Sequence, residues 1–267
     1  RIWQTMSGNE VTGGVDSRVY MFGGDNASGT ALNDLWHYDV ATGQWTLLTP
    51  ASRTQSLYGR KLAALSCGEG QCVLFGGSSI KLYNETWYFA EPTGTASTVT
   101  WGQVSCRKAG ACPAPRYAPL MAFDPSRRYR VSFGGKSSDG LGLGDTWTLS
   151  GTRWTRSAPV HSPPARGGGS ATFVPSHASN GIGIEFDKVV IFGGDPGPTV
   201  SYPAALCDLW AWTGSDWEQV STGPDRPCLT GATIGWDDDT ARLVVTGGFK
   251  DAADLTPNTD TWYFRFD

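Results

Sequence analysis

Five times along the chain, a pair of adjacent glycines closes a short apolar run and is followed by an acidic residue, one spacer and a tryptophan. The pairs are Gly23-Gly24, Gly76-Gly77, Gly134-Gly135, Gly193-Gly194 and Gly247-Gly248. The tripeptides are Asp34-Leu35-Trp36, Glu85-Thr86-Trp87, Asp145-Thr146-Trp147, Asp208-Leu209-Trp210 and Asp260-Thr261-Trp262. The first glycines follow one another at intervals of 53, 58, 59 and 54 residues. A unit of this length cannot bury its own apolar face, so its copies must stack and share a core. Five copies fill the 267 residues, which predicts one domain over 1–267 with repeats near 1–50, 58–106, 115–158, 166–222 and 226–267.

Within each repeat, Val19 to Phe22, Val73 to Phe75, Tyr129 to Phe133, Val189 to Phe192 and Leu243 to Thr246 are apolar without clean alternation, the pattern of strands covered on both faces. Before them, near Arg1 to Ser7, Lys61 to Leu65, Tyr117 to Phe123, Gly168 to Val174 and Leu229 to Trp236, small residues recur, as crowded innermost strands require. A third strand carries the acidic-x-Trp tripeptide, and a fourth carries Trp45, Trp101, Trp154 or Trp217. Nine of the twelve tryptophans thus occupy repeat positions, which predicts a packing role and leaves Trp3, Trp212 and Trp236 outside the pattern.

The period and the glycine-pair to tryptophan signature resemble the kelch repeat, one blade of a β-propeller, over the whole chain. The resemblance implies an all-β fold, a five-bladed kelch-type propeller of four-stranded antiparallel blades. The last blade lacks its outer strand within this chain, because the sequence stops at Asp267 and Arg1 already begins an inner strand. Kelch propellers usually complete one blade with the other terminus. Here three explanations stay open: residues before Arg1, a blade of three strands, or a strand from another chain. The edge in question includes Trp262, Tyr263, Phe264 and Phe266 and would expose unpaired backbone groups, a route to assembly by strand addition.

Charged residues make up 17% of the chain, the net charge is −4, and Lys and Arg form no stripe, which argues against nucleic acid as a partner. No apolar stretch approaches the ~20 residues of a membrane span. Cys67 and Cys72 bracket a predicted hairpin tip, Cys106 and Cys112 flank a connection between repeats, and Cys207 and Cys228 lie in connections expected on one side of the fold. Disulfides suit these placements better than zinc, whose structural sites use two-residue C-x-x-C spacing, although six cysteines allow 15 pairings. An even number of cysteines at loop ends points to an oxidising compartment, as do the sequons at Asn26 and Asn84. Both indicate a secreted or cell-surface protein.

Catalytic chemistry finds little support. Galactose-oxidase-like proteins of similar blade architecture hold copper with two converging histidines and with tyrosines, and this chain has only His37, His161 and His177. His161 and His177 flank an inner strand of about seven residues, which places them ~20 Å apart. The run Arg166 to Ser170 lacks the lysine of a phosphate loop, and Asp237 to Asp239 fits a hairpin turn better than a calcium site. No metal or cofactor is expected, and the chain is not read as an enzyme.

Recognition remains. In kelch proteins that bind peptides, contacts come from the loops after the glycine pairs and from the connections ahead of the inner strands. By position, the resemblance nominates Asp25, Ser78, Lys136, Asp195 and Phe249 from the former, and Trp3, Lys61, Tyr117 and Arg166 from the latter. Glycans on Asn26 or Asn84 would crowd repeats 1 and 2, so a ligand is then expected on repeats 3 to 5. The extra length from Pro175 to Asp187 is a second candidate surface. The sequence thus indicates an extracellular, non-catalytic scaffold for a protein partner or a glycan. The alternatives are a structural subunit that binds copies of itself through the fifth repeat and, less favoured, a relative of the carbohydrate oxidases.

Overall fold

The computed structural model describes residues 1–8, 17–51, 57–106, 110–176, 187–198, 205–220, 226–250 and 256–264. These residues contain strands, turns and bridges but no helix, so none is long and apolar enough to cross a membrane. The fold is a five-bladed β-propeller of antiparallel blades, in which each repeat is one sheet.

Blade 1 runs through β1 (Thr5–Gly8), β2 (Arg18–Phe22), β3 (Leu35–Asp39) and β4 (Gln44–Pro50). Blade 2 has β5 (Ala64–Gly68), β6 (Gln71–Phe75), β7 (Thr86–Ala90) and β9 (Trp101–Gln103). The two-residue β8 (Thr98–Val99) leaves the blade 2 sequence and pairs in parallel with β4, adding a fifth strand to blade 1 that the sequence did not announce. Blade 3 contains β10 (Leu120–Asp124), β11 (Tyr129–Phe133), β12 (Thr146–Ser150) and β13 (Arg153–Ser157). Blade 4 contains β14 (Ser170–Val174), β15 (Lys188–Phe192), β16 (Leu209–Trp212) and β17 (Trp217–Val220). Blade 5 has three strands among the described residues, β18 (Thr230–Asp237), β19 (Arg242–Phe249) and β20 (Thr261–Phe264). The inner strands of blades 1 to 3 begin about three residues later than the sequence pattern suggests. Isolated bridges such as Ile2 to Asp25 and Lys61 to Ser78 occupy those residues instead.

The chain forms two compact units, Arg1–Ala118 with blades 1 and 2, and Pro119–Asp267 with blades 3 to 5. The first unit has a single apolar cluster built from Tyr20, Phe22, Leu74, Phe89 and Trp101, with Phe89 and Trp101 meeting edge to face at 4.8 Å. In the second, one cluster joins blades 3 and 4 through Phe133, Ile191 and Trp217, and another joins blades 4 and 5 through Phe192, Leu229 and Phe264. Side chains of adjacent blades interleave in these clusters, and burial on both strand faces explains why the second strands read as unbroken apolar runs. Trp154 and Trp217 are buried as expected, whereas Trp45 is 44% exposed and rests on Tyr38 at the surface of blade 1. Trp212, outside the repeat pattern, is a fully buried core residue, and Trp236 packs at the margin of the blade 4 and 5 cluster.

Among the described residues, the first four glycine pairs each bond to the connection that leads into the next inner strand. The first glycine donates its N–H to the carbonyl of its own blade's acidic residue, as from Gly23 to Asp34 at 3.1 Å and Gly76 to Glu85 at 3.2 Å. The second donates to the next blade: Gly24 to Arg60, Gly77 to Arg116, Gly135 to Arg166 and Gly194 to Leu229, at 2.8–3.0 Å. At Gly193 the requirement is doubly strict, since φ is +65° and a Cβ would sit 2.3 Å from the Leu229 carbonyl oxygen.

Candidate functional site

The side of the blades carrying the glycine-pair loops and the connections ahead of the inner strands holds the nominated residues, and many of them are bound to one another. In the first unit, Asp25 is buried and its Oδ2 accepts from Lys61 Nζ at 2.6 Å, while Ser78 pairs with Lys61 through the backbone. In the second, Lys136 Nζ donates to Asp195 Oδ1 at 2.6 Å, and Thr230 Oγ1 donates to Asp195 Oδ2 at 2.8 Å. Tyr117 and Phe249 are half-buried at bridges. These pairings cross from one blade to the next, so they fix the loop side before any ligand arrives.

Arg166, nominated for the ligand face, is instead fully buried. Its guanidinium makes two bonds to the Asp208 carboxylate at 2.6 and 2.7 Å, and Nη1 also donates to the Gly193 carbonyl at 3.1 Å. Asp208 Oδ2 accepts in addition from Trp210 Nε1 at 2.7 Å. The motif recurs with Arg60, Glu85 and Trp87 in blade 2, and with Arg1, Asp34 and Trp36 in blade 1. Arg116 holds the same place ahead of blade 3 and is also buried. In blades 1, 2 and 4 the acidic-x-Trp signature is therefore the receiving half of an arginine clamp. Burial opposes ionisation of Asp208, but the hydrogen bonds and charge of Arg166 and the indole N–H outweigh it and hold the carboxyl below its ordinary range. The recurring arginine escapes a reading by spacing, because 22, 16, 18 and 27 residues separate Arg1, Arg60, Arg116 and Arg166 from the glycines that follow. Its signal was a basic residue repeated ahead of four inner strands.

The three disulfides join Cys67 to Cys72, Cys106 to Cys112 and Cys207 to Cys228, and no cysteine is free. The first closes the β5–β6 hairpin, and the last ties a blade 4 loop to the approach to blade 5. Of the histidines, His37 is buried against Tyr20, and burial lowers its pKa, with Arg18 acting in the same sense. His161 Nδ1 lies 2.8 Å from Asp216 Oδ2, and His177 lies outside the described residues. Among the described residues no group of three His, Cys, Asp or Glu side chains could hold a metal ion. Asp237 accepts from Asp239 N and Thr240 N within the β18–β19 turn, a turn former's role.

Asn26 is exposed, and its Oδ1 caps the loop by accepting from Ser28 N and Thr30 N, each at 2.9 Å. Asn84 is half-buried and its sequon threonine, Thr86, is buried in β7. Most of the stretch between Pro175 and Asp187, and the edge residue Phe266, lie outside the described residues. Trp262 is half-buried, Tyr263 is exposed and Phe264 is buried. Exposed large apolar side chains on the glycine-pair loops and the connections ahead of the inner strands include Ile2, Trp3, Tyr58 and Ile80 in the first unit, and Leu141 and Val160 in the second.

Residues 4–180, about two thirds of the chain, match the family described as the KLHDC2/KLHL20/DRC7 Kelch-repeats domain. A solved structure described as "Structure of YjhT" is similar to the chain at a TM-score of 0.65 and 16% identity, covering 94% of this chain and 79% of that one. At that identity the likeness concerns the fold alone.

Proposed function

This chain belongs to the kelch-repeat family, whose propellers serve in general as non-catalytic scaffolds that bind proteins, and we propose that it is an extracellular member, one domain over 1–267, recognising a protein partner on its loop side. One observation carries the reading: most of the charged groups nominated on that side pair with one another or with a signature acid, Asp25 with Lys61, Asp195 with Lys136 and Arg166 with Asp208, while apolar and aromatic side chains stay exposed. A surface that is rigid, locally neutralised and partly apolar suits a partner's side chains better than it suits proton transfer. The three disulfides support the extracellular assignment, since such bonds persist in oxidising compartments.

Proximity labelling on living cells of the natural source, followed by reconstitution with the purified candidate partner, tests the reading. The expected hydrogen-exchange footprint covers the loops after the glycine pairs, and thiol titration without reductant finds no free cysteine. A footprint elsewhere, or free thiols in the native protein, would overturn the corresponding part. A second reading rests on β20, which pairs only with β19 among the described residues and leaves Tyr263 exposed beside an open backbone edge. Self-association through that edge makes the protein a subunit of an assembly, and light scattering distinguishes chains of copies from single particles.

A further inference from the structure

Five positions at the entry to the inner strands have left-handed backbone: Trp3 (φ 56°), Leu62 (52°), Ala118 (50°) and Gly168 (69°), each two residues ahead of its strand, and Gly231 (69°), the second residue of β18. The turn into each inner strand imposes this conformation, and blades 4 and 5 meet it with glycine, which has no Cβ to clash. Blade 1 places tryptophan there and leaves it 49% exposed. A strained residue whose bulk does not go into the core, yet which its surroundings hold firmly, points to a function for that side chain. The surroundings do hold it. Lys61 Nζ lies 4.7 Å from the ring centroid while anchored on Asp25, and Leu62 N donates to the Trp3 carbonyl at 3.0 Å.

The same approach to β5 presents a second rigid aromatic. Tyr58, 54% exposed, stacks on Tyr83 at 6.4 Å with an interplanar angle of 12°, and Tyr83 in turn lies 4.2 Å from the Arg60 guanidinium carbon. The Tyr83 hydroxyl shares a 2.6 Å hydrogen bond with Ser79, fixing the loop that carries Ile80, whose side chain is 92% exposed. Charge completes the description. Arg1 is balanced by Asp34 and Lys61 by Asp25, but Glu85 faces both Arg60 at 3.0 Å and Lys81 at 3.8 Å. Within these ion pairs of the described residues one cation is in excess, and the Lys81 side chain is 59% exposed.

We propose that Trp3, Tyr58, Ile80 and Lys81 form the recognition site, and that its ligand is a protein segment in which an apolar or aromatic side chain adjoins a carboxylate. The inference rests on the recognition reading above and narrows it to blades 1 and 2. Aromatic side chains already held in place lose little entropy on binding, which is why such residues dominate interface energetics. Ile80 offers a sugar no hydrogen bond but offers a protein side chain a large contact, and the excess ammonium selects for acid.

The test is selection of random peptides displayed on phage against the folded, disulfide-intact protein, with a carbohydrate array probed in parallel. The expected consensus pairs an aliphatic or aromatic residue with Asp or Glu. Trp3→Asn, a residue that tolerates left-handed backbone, should weaken the selected peptides at least about 30-fold while leaving Tm unchanged or raised. Ile80→Ser should weaken them roughly tenfold. Selected peptides that lack acid, or that bind Trp3→Asn undiminished, overturn the site and leave the recognition reading standing. Binding to carbohydrates with no peptide enriched overturns the ligand class, and no binding to either probe overturns this inference and the recognition reading together.

Discussion

Blades 4 and 5 lie in the same compact unit and carry the same glycine pair and the same acidic-x-Trp tripeptide, yet they are fastened differently. In blade 4 the buried Arg166 grips Asp208 and the Gly193 carbonyl, and Trp210 completes the cluster. In blade 5 the equivalent residue is Leu229, fully buried in the apolar cluster with Phe192 and Val245. Its carbonyl still accepts from Gly194 N, so the backbone junction survives the loss of the guanidinium. Asn258 Nδ2 takes over the glycine carbonyl, donating to Gly247 at 3.2 Å, and Asp260 is exposed to water. Trp262 Nε1 is left buried with no acceptor. Blade 5 thus keeps the backbone junction with leucine in place of the arginine and with the acid in a solvated position, as expected where a buried ion pair gives way to an apolar group and neither charge is left buried alone.

The largest effect should come from forcing half of that change on blade 4. Arg166→Leu copies blade 5 at one residue but leaves the carboxylate of Asp208 half-buried without its cation. Breaking such a pair costs about 3–5 kcal/mol, which urea unfolding would register as a lower midpoint at an unchanged slope. Adding Asp208→Asn to the same chain should recover part of the loss. If the double variant is as unstable as the sum of its parts, the clamp is not a coupled unit and the comparison with blade 5 fails.

Asp208→Asn alone is the smaller perturbation, about 2 kcal/mol for weakening hydrogen bonds to a charged partner, and it carries a pH signature. The folded carboxyl titrates below its ordinary range because Arg166 and the Trp210 indole favour the ionised form over the opposing effect of burial. A depressed folded pKa contributes stability that is present above the unfolded value of about 3.9 and fades as pH falls through the folded value. The parent should therefore lose more stability between pH 5 and pH 3 than the Asn variant. Parallel acid profiles would mean that Asp208 is not the group that couples this blade to pH.

How much of this was legible in the sequence follows from what the repeat samples. The glycine pairs and tryptophans recur at near-constant places because backbone geometry and the blade interface leave few substitutes, and they led directly to five sheets and their second strands. The cysteine placements made the three pairs that the structure contains reasonable, while the pairing itself stayed open among 15. The arginine clamp was less legible, because hairpins of unequal length scatter its spacing and because an arginine near a loop reads as a surface charge. Arg166 entered as a ligand-face candidate only by its position ahead of an inner strand. Trp3 stood outside the repeat pattern and among the ligand-face candidates, but so far as burial goes it read like Trp212, and only the structure separates an exposed ring on left-handed backbone from a buried one. The parallel strand Thr98–Val99 has no repeat counterpart in the other blades and so no pattern to betray it.

The smallest effect should be Asp260→Asn. The same substitution that weakens blade 4 meets in blade 5 a carboxylate exposed to water, with leucine where the clamp would be, and exposed changes of this kind shift stability by no more than about 0.5 kcal/mol. Near-silence here, beside a loss of about 2 kcal/mol at Asp208, would assign the value of the signature acid to its arginine rather than to its place in the strand. A comparable loss at Asp260 would instead mean that the acid serves the turn into β20 in its own right, and the clamped blades 1, 2 and 4 would then owe less to arginine than their geometry implies.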